Sequence, residues 1–247
     1  MTLTEFFAQT PKAALAFSGG TDSAYLLAQG LKLGADLRPY YMKTALQPAF
    51  ELEDARRLCQ QLGVELTVVD LDLLACPEVQ ENGPERCYHC KRILFSTLQQ
   101  RAAADGYPVV LDGTNTSDDP DDRPGMSALA ELGVHSPLRE CGLTKGEIRR
   151  RSRQMGLFTW SKPAYACLAT RIPTGTPIEK EDLNRVERAE AVLAKLGFSD
   201  FRVRLFRGCA RLQLPREQQV QVLEKREQIL SGLDPLFDAV FLDLKER

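Results

Sequence analysis

The most constraining feature of the sequence is a loop of small polar residues near the N-terminus, Ser18-Gly19-Gly20-Thr21-Asp22-Ser23. The apolar segment AALAF precedes the loop, and Ala24-Tyr25-Leu26-Leu27 follows it at helical spacing, so the pattern predicts strand, tight loop and helix. Two glycines let the backbone approach an anion, and the dipole of the following helix attracts it. We therefore predict a pyrophosphate-binding loop, formed by Ser18, Gly19, Gly20, Asp22 and Ser23.

Two alternatives bear on this loop. The Walker P-loop has a lysine that this segment lacks, which favours another class of phosphate site. A Gly-Gly turn that only joins strand to helix has no need of the flanking Ser18, Asp22 and Ser23 together.

Strands alternate with helices through the first part of the chain, which indicates a parallel sheet covered on both faces. The pattern predicts further strands at 37–44, 64–71 and 108–111, and helices at 50–62, 91–104 and from Thr144 to about 155. Thr144 and Glu147 have the spacing of a capping box. The fold class is therefore α/β, with a parallel sheet and helices on both of its faces.

Prolines and a glycine cluster around residues 162–177, and the pattern changes after them. The tail predicts helix 178–196, strands 201–206 and 210–214, helix 216–230 and strand 239–242, a small α+β domain. We predict a nucleotide-binding domain at 1–172 and a C-terminal domain for substrate binding and oligomerisation at 173–247.

A polar segment follows the predicted strand at 108–111. It begins with Asp112-Gly113-Thr114-Asn115 and continues through several aspartates to Gly125. Ligands of parallel α/β sheets bind outside the carboxyl ends of the strands, so Asp112 and Asn115 are candidate nucleotide-site residues. The carboxylates of the segment are candidate ligands for Mg²⁺ on a triphosphate, although a solvated loop contains the same residues.

Composition excludes some function classes. The 247 residues contain 32 Lys+Arg and 34 Asp+Glu, a net charge of −2, which provides no general field for nucleic acid. No signal peptide or apolar run of about 20 residues is present, so we expect a cytoplasmic protein that does not bind a membrane. The seven cysteines form an odd and scattered set, which favours reduced thiols, a metal site or catalytic sulfur over disulfides.

The loop looks like the PP-loop of the ATP pyrophosphatase superfamily. Several further segments resemble one branch of it, the LarE family: RCYHCK at 86–91, DGTN at 112–115, SPL at 136–138, LTK at 143–145, ACLATRIP at 166–173 and RVR at 202–204. The resemblance implies an ATP-dependent sulfur transferase that adenylates a carboxylate of a pyridinium dicarboxylate mononucleotide and replaces it by a thiocarboxylate. The product would serve the nickel-pincer cofactor of lactate racemase, and a homo-oligomer is implied.

The resemblance also assigns residues. It places the catalytic cysteine at Cys167 and the substrate-phosphate pair at Arg202 and Arg204, which share one face of a predicted strand. An exposed strand face without a ligand is the alternative for the two arginines. At Gln213 the sequence departs from the family, where a carboxylate that touches substrate or metal is expected.

The pair Cys87 and Cys90 is ambiguous by itself, since Cys-x-x-Cys occurs in redox, zinc and iron–sulfur sites. A zinc site needs a second pair of ligands. By resemblance to some family members, Cys87, Cys90 and Cys167 would bind a [4Fe-4S] cluster that passes on sulfide, whereas in others the equivalent of Cys167 donates its own sulfur. We favour the cluster and expect the remaining four cysteines to be buried and inert.

Three other functions remain open. An amidating ligase of the superfamily, like an NAD or GMP synthetase, would use ammonia and have no purpose for the cysteines. A tRNA thiolase would need a basic surface. A non-catalytic ATP-binding module would need neither the cysteines nor the predicted strand that carries Arg202 and Arg204, which we call the arginine strand.

Overall fold

The apolar segment before the glycine loop forms strand β1 (Lys12–Ala16), around which the first sheet is built. In the computed structural model, which describes residues 1–118 and 123–245, β1 pairs in parallel with β2 (Asp36–Lys43) and β4 (Val110–Leu111). Strand β3 (Thr67–Asp70) pairs in parallel with β2. The order β3–β2–β1–β4 places β1 between neighbours on both sides.

Side chains of β1 alternate between the two faces of this sheet, and helices cover both. Leu15 packs in a core with α2 (Thr21–Lys32) and α3 (Ala49–Leu62). Ala14 packs on the other face with Leu98 and Ala102 of α5 (Arg86–Ala104). The predicted α/β fold, a parallel sheet with helices on both faces, is confirmed.

The remaining helices of the N-terminal and central parts of the chain are α1 (Leu3–Gln9), α4 (Pro77–Gln80), α6 (Arg123–Glu131), α7 (Pro137–Glu140) and α8 (Lys145–Gln154). Helix α8 begins where the Thr-x-x-Glu pattern predicts, because the Thr144 hydroxyl accepts a hydrogen bond from the Glu147 N–H at 3.3 Å. Helix α5 begins five residues before the predicted helix at 91–104, so Cys87 and Cys90 lie inside it.

The C-terminal part contains a mixed three-stranded sheet. Its elements are α9 (Lys180–Lys195), β5 (Arg202–Phe206), β6 (Cys209–Gln213), α10 (Arg216–Glu224), α11 (Arg226–Leu233) and β7 (Val240–Leu242). Strand β6 pairs antiparallel with β5 and parallel with β7. Val203 and Leu205 are buried and α9 contacts β5, so one face of the sheet lies on α9. The predicted α+β arrangement is confirmed.

One predicted helix is wrong in its extent. Residues 216–230 form two helices that meet at Lys225, whose φ and ψ are −99° and 16°. The Lys225 Nζ donates to the Leu196 carbonyl at 2.5 Å, just after α9. That long-range contact is absent from any local pattern, so the sequence predicts one continuous helix.

The chain forms two compact units. The first comprises Met1–Thr44, Ala49–Leu73 and Cys87–Lys162, and the second comprises Ala45–Pro48, Leu74–Arg86 and Pro163–Arg247. The second unit thus includes two short segments from the N-terminal half, whose hydrogen bonds reach beyond residue 162. The Asn82 amide, for example, donates to the carbonyls of Pro173 and Thr176 at 2.9 and 3.0 Å. The predicted domain boundary at 172/173 stays a prediction.

In the described part of the chain, every helix is too short or too polar to span a bilayer.

Candidate active site

The glycine loop lies between β1 and α2 at the carboxyl edge of the parallel sheet. Gly20 is the N-cap of α2, with extended backbone, and a glycine contributes no side chain to cap the first N–H groups of the helix. The Ser18 and Ser23 hydroxyl oxygens are 3.1 Å apart, and Ser18 Oγ accepts from the Gly20 N–H at 3.3 Å. The start of α2 thus leaves its first N–H groups without a side-chain cap, and such a helix start favours an anion.

Gly19 fixes the shape of the loop. Its φ is +70°, in the left-handed region that favours glycine. A Cβ at Gly19 would lie 3.0 Å from both the Ala55 nitrogen and the Glu51 carbonyl oxygen of α3. A Cβ at Gly20 would meet only the Ser18 hydroxyl, at 3.2 Å. The two adjacent glycines therefore have different roles, since Gly19 allows close packing on α3 and Gly20 leaves space at the helix start.

Asp22, in the first turn of α2, has one carboxylate oxygen available for a ligand. Its Oδ1 is buried and has no hydrogen-bond partner among the described residues. The other oxygen is 3.9 Å from Lys145 Nζ. Burial raises the pKa of Asp22, the Lys145 charge opposes that rise, and the Asp118 charge adds to it.

The segment after β4 packs directly against the glycine loop. A Cβ at Gly113 would lie 3.0 Å from the Ser23 nitrogen, so the two backbones approach closely there. The Asp112 carboxylate accepts hydrogen bonds from the Thr114 N–H at 3.2 Å, the Thr114 hydroxyl, and the Ser136 hydroxyl at 2.6 Å. Burial raises the pKa of Asp112 despite these bonds. Asp112 is therefore engaged in fixing its own loop.

Asn115 is fully buried beside it and retains an available donor. Its Oδ1 accepts from the Ser117 N–H at 2.8 Å, and its N–H donates to Asp118 at 2.7 Å. The Asn115 Nδ2 has no hydrogen-bond partner in the described part of the chain. Buried polar groups are nearly always hydrogen-bonded, so an exception next to a phosphate-type loop indicates a ligand. The aspartates at 119, 121 and 122, candidate Mg²⁺ ligands in the sequence, lie outside the described residues.

Two basic residues at this site are not among the site residues that the sequence predicts. Lys145 and Arg149 lie on α8, and both charges act on Asp22. The Arg149 Nη2 donates to the Lys162 carbonyl at 2.8 Å, whereas its buried Nε has no hydrogen-bond partner among the described residues. The helix start at Thr144 predicts α8 and hence one face for these side chains, but only the packing of α8 on α2 brings them to the loop.

The predicted cysteines belong to different units. Cys87 and Cys90 lie half-buried at the start of α5, three residues apart and thus neighbours on the helix surface. Cys167 is half-buried in the second unit, directly before the 3₁₀ turn Leu168–Arg171. Across residues 1–118 and 123–245, no three His, Cys, Asp or Glu side chains come together as a possible metal site.

The other four cysteines are only partly as expected. Cys59 is buried, and burial raises the pKa of its thiol to about 12, which suits an inert role. Cys76, Cys141 and Cys209 are partly exposed, so the prediction of burial is wrong for these three. Cys76 precedes α4 and donates to Glu78, and Cys209 lies on the more exposed face of β6.

Arg202 and Arg204 lie on the same face of β5, as their spacing predicts. The Arg204 guanidinium donates to the Thr170 carbonyl at 2.9 Å and to Gln213 Oε1 at 2.5 Å. Gln213 Nε2 in turn donates to Asp243 at 2.8 Å. Position 213 thus holds Arg204 in place without a charge of its own, and the nearby carboxylate comes from Asp243. The second unit brings the arginine strand beside the segment that follows Cys167.

No family model matches the chain. The pyridinium-3,5-bisthiocarboxylic acid mononucleotide synthase of Lactiplantibacillus plantarum is 32% identical over 246 residues, which is 98% of this chain and 89% of the relative. The chain belongs to the LarE family. An uncharacterized protein of Synechocystis sp., slr1717, is 40% identical to this LarE-family chain over 227 residues, 90% of the chain and 83% of the relative.

More distant relatives bear on the fold. The tRNA-specific 2-thiouridylase MnmA of Frankia alni is 27% identical over 184 residues, 60% of the LarE-family chain and 52% of that enzyme. Together with the parallel sheet and its loop, this likeness identifies the PP-loop fold. Both kinds of named relative have products that contain sulfur in place of oxygen.

Proposed function

We propose that this LarE-family chain is an ATP-dependent sulfur transferase. It adenylates a carboxylate of a pyridinium dicarboxylate mononucleotide, releases pyrophosphate and converts the carboxylate to a thiocarboxylate for the lactate racemase nickel-pincer cofactor. The observation that carries the proposal is the pair of buried polar atoms without partners, Asp22 Oδ1 and Asn115 Nδ2, beside the uncapped start of α2. Family membership supports the identity of the substrate.

In the first step, the triphosphate of ATP binds in the loop at residues 18–23. A substrate carboxylate oxygen attacks the α-phosphorus, the bond to the β-phosphate oxygen breaks, and pyrophosphate leaves. Lys145 and Arg149 lie close enough to Asp22 to stabilise the charge that develops on the leaving group. A buried carboxylate oxygen without a partner fits a hard cation, so Asp22 would hold Mg²⁺, which supplies further positive charge.

In the second step, Arg202 and Arg204 bind the phosphate of the mononucleotide, and the Cys167 thiolate attacks the activated carbonyl carbon. AMP leaves and a thioester to Cys167 forms. A solvent base then takes the Cα proton of Cys167, the electron pair of that bond forms the Cα–Cβ double bond, and the Cβ–Sγ bond breaks. The product leaves with the sulfur as a thiocarboxylate, and residue 167 becomes dehydroalanine. In this scheme the transferred sulfur atom is the Sγ of Cys167.

The [4Fe-4S] cluster remains a separate prediction. It requires Cys87 and Cys90 of the first unit and Cys167 of the second unit to bind one group. The homo-oligomer that the resemblance implies is likewise a proposal, which light scattering of the purified protein tests.

Pyrophosphate release with defined acceptors tests the function. We expect release from ATP that depends on the pyridinium dicarboxylate mononucleotide and is unaffected by tRNA or ammonium ions. Release that depends on bulk tRNA would instead identify a tRNA thiolase, and release that requires ammonia an amidating ligase. ATP binding without release under all conditions would identify a nucleotide-binding module.

A further inference from the structure

An ion pair is buried inside the second unit. Arg171, at the end of the 3₁₀ turn after Cys167, is 1% exposed, and Glu190 of α9 is 5% exposed. The two side chains form a fork, with Arg171 Nε 2.8 Å from Glu190 Oε1 and Nη2 3.2 Å from Oε2. Paired and hydrogen-bonded geometry of this kind is the condition under which charges tolerate burial.

The same guanidinium also binds the main chain at the proposed sulfur donor. Arg171 Nη1 donates to the Ala166 carbonyl at 2.9 Å and lies 3.4 Å from the Cys167 carbonyl oxygen. The Tyr165 ring lies 4.5 Å from the guanidinium carbon, and its hydroxyl donates to Glu190. The backbone on both sides of the Cys167 side chain is therefore attached to one buried pair.

Glu190 connects that segment to the arginine strand. Its Oε1, already bound by Arg171, accepts a second hydrogen bond from the Val203 N–H at 3.0 Å. Val203 lies between Arg202 and Arg204 on β5. A single carboxylate thus joins the main chain at Cys167 to the main chain that carries both proposed phosphate ligands.

We propose that Arg171 and Glu190 are positioning residues for sulfur transfer, holding the Cys167 segment at a fixed place relative to Arg202 and Arg204. The inference rests on the proposed function. A buried ion pair contributes little net stability compared with apolar residues of the same size, so stability alone is a weak reason for this pair. Attack of a thiolate on an acyl carbon needs a distance of about 3–3.5 Å, and a displacement of about 1 Å can cost about a hundredfold in rate.

Arg171→Lys is the primary test variant. Lysine keeps a positive charge for Glu190, but one ammonium cannot make the planar fork and reach the Ala166 carbonyl as well. Glu190 keeps its bond to Val203, so the arginine strand is undisturbed. We expect thiocarboxylate formation to fall about a hundredfold, whereas pyrophosphate release stays within about twofold of wild type.

Arg185→Lys is the matched control. Arg185 lies on α9, as Glu190 does, and like Arg171 it binds an acid, Asp182, and two main-chain carbonyls, those of Leu236 and Gly208. None of these contacts involves the Cys167 segment. We expect Arg185→Lys to transfer sulfur at the wild-type rate for each adenylate formed.

A double variant, Arg171→Met with Glu190→Gln, keeps the test valid if Arg171→Lys folds poorly. Removing both charges avoids a lone buried charge, and the glutamine oxygen can still accept from the Val203 N–H.

A second readout is the alkylation rate of Cys167, measured by peptide mass spectrometry with Cys90 as internal reference. In both variants we expect Cys167 alkylation to rise about tenfold as its segment opens more often, and Cys90 alkylation to stay unchanged.

The outcomes separate the inference from the function. Wild-type sulfur transfer per adenylate in both folded variants, with unchanged Cys167 alkylation, overturns the positioning role. Equal loss of pyrophosphate release and transfer in Arg171→Lys assigns the pair to the fold alone and also overturns it. Wild-type protein that releases no pyrophosphate contradicts the proposed function instead, and the alkylation rates still decide whether the pair positions Cys167.

Discussion

Replacement of each glycine in the phosphate loop should separate folding from catalysis. In Gly19→Ala the residue keeps φ near +70°, which costs an alanine about 1–2 kcal/mol. Its Cβ also meets two backbone atoms of α3 at 3.0 Å, and such overpacking typically costs about 1–3 kcal/mol. The free energy of unfolding should thus fall by about 2–5 kcal/mol, a large part of the total of about 5–15 kcal/mol.

Gly20→Val should give the opposite result. Its backbone is extended and its Cβ meets only the Ser18 hydroxyl, so we expect a loss of at most about 1 kcal/mol, mainly from a poorer N-cap. The branched side chain would occupy the space that we propose for the phosphate. Loss of two charge-assisted hydrogen bonds, about 1.5–3 kcal/mol each, predicts at least a hundredfold slower pyrophosphate release, or about 3 kcal/mol.

Urea unfolding measures the first quantity and pyrophosphate release measures the second. Gly20→Ala serves as an intermediate step in side-chain size. Pyrophosphate release by Gly20→Val at near the wild-type rate would refute the phosphate assignment. Equal destabilisation by Gly19→Ala and Gly20→Val would refute the different roles of the two glycines.

Three further predictions concern the site. Burial raises the pKa of Asp22, so the native state binds this proton more tightly than the unfolded chain, and the free energy of unfolding falls as pH rises through the carboxyl range. Asp22→Asn should remove that pH dependence, raise Tm at neutral pH and abolish pyrophosphate release. An unchanged pH dependence of the unfolding free energy in Asp22→Asn would contradict this prediction. Arg202→Ala or Arg204→Ala should weaken mononucleotide binding about tenfold to a hundredfold in calorimetry, with ATP binding unchanged, whereas equal losses for both ligands would contradict the phosphate role. Cys87→Ala and Cys90→Ala should leave pyrophosphate release intact. Loss of bound iron together with loss of sulfur transfer would support the cluster, whereas retained sulfur transfer would oppose it. Loss of pyrophosphate release would instead show that the cysteine pair is structural.

Local patterns predict the regular elements around the phosphate loop well. Strand β1, helix α2 and the helix start at Thr144 depend on apolar spacing and on capping, which are properties of neighbouring residues. The face shared by Arg202 and Arg204 likewise follows from strand geometry alone. These parts of the fold and site are therefore readable from the sequence.

Long-range hydrogen bonds account for what the sequence does not reveal. The two helices that meet at Lys225 depend on its bond to the Leu196 carbonyl, 29 residues away. The pairing of Arg171 with Glu190 joins residues 19 apart in the chain, with nothing between them to mark a contact. Asn82, buried and at φ +56°, binds carbonyls more than 90 residues away. Such contacts are properties of the folded chain.

The central claim is that sulfur passes through Cys167 onto a carboxylate that ATP has activated. A single-turnover reaction of wild-type protein and Cys167→Ala with ATP and the pyridinium dicarboxylate mononucleotide, analysed by mass spectrometry of product and protein, tests it most directly. We predict that both proteins release pyrophosphate, that wild type alone forms thiocarboxylate, and that a chain donating its own sulfur loses about 34 Da, the mass of H₂S, at residue 167. Thiocarboxylate formed by Cys167→Ala at the wild-type level would contradict the claim.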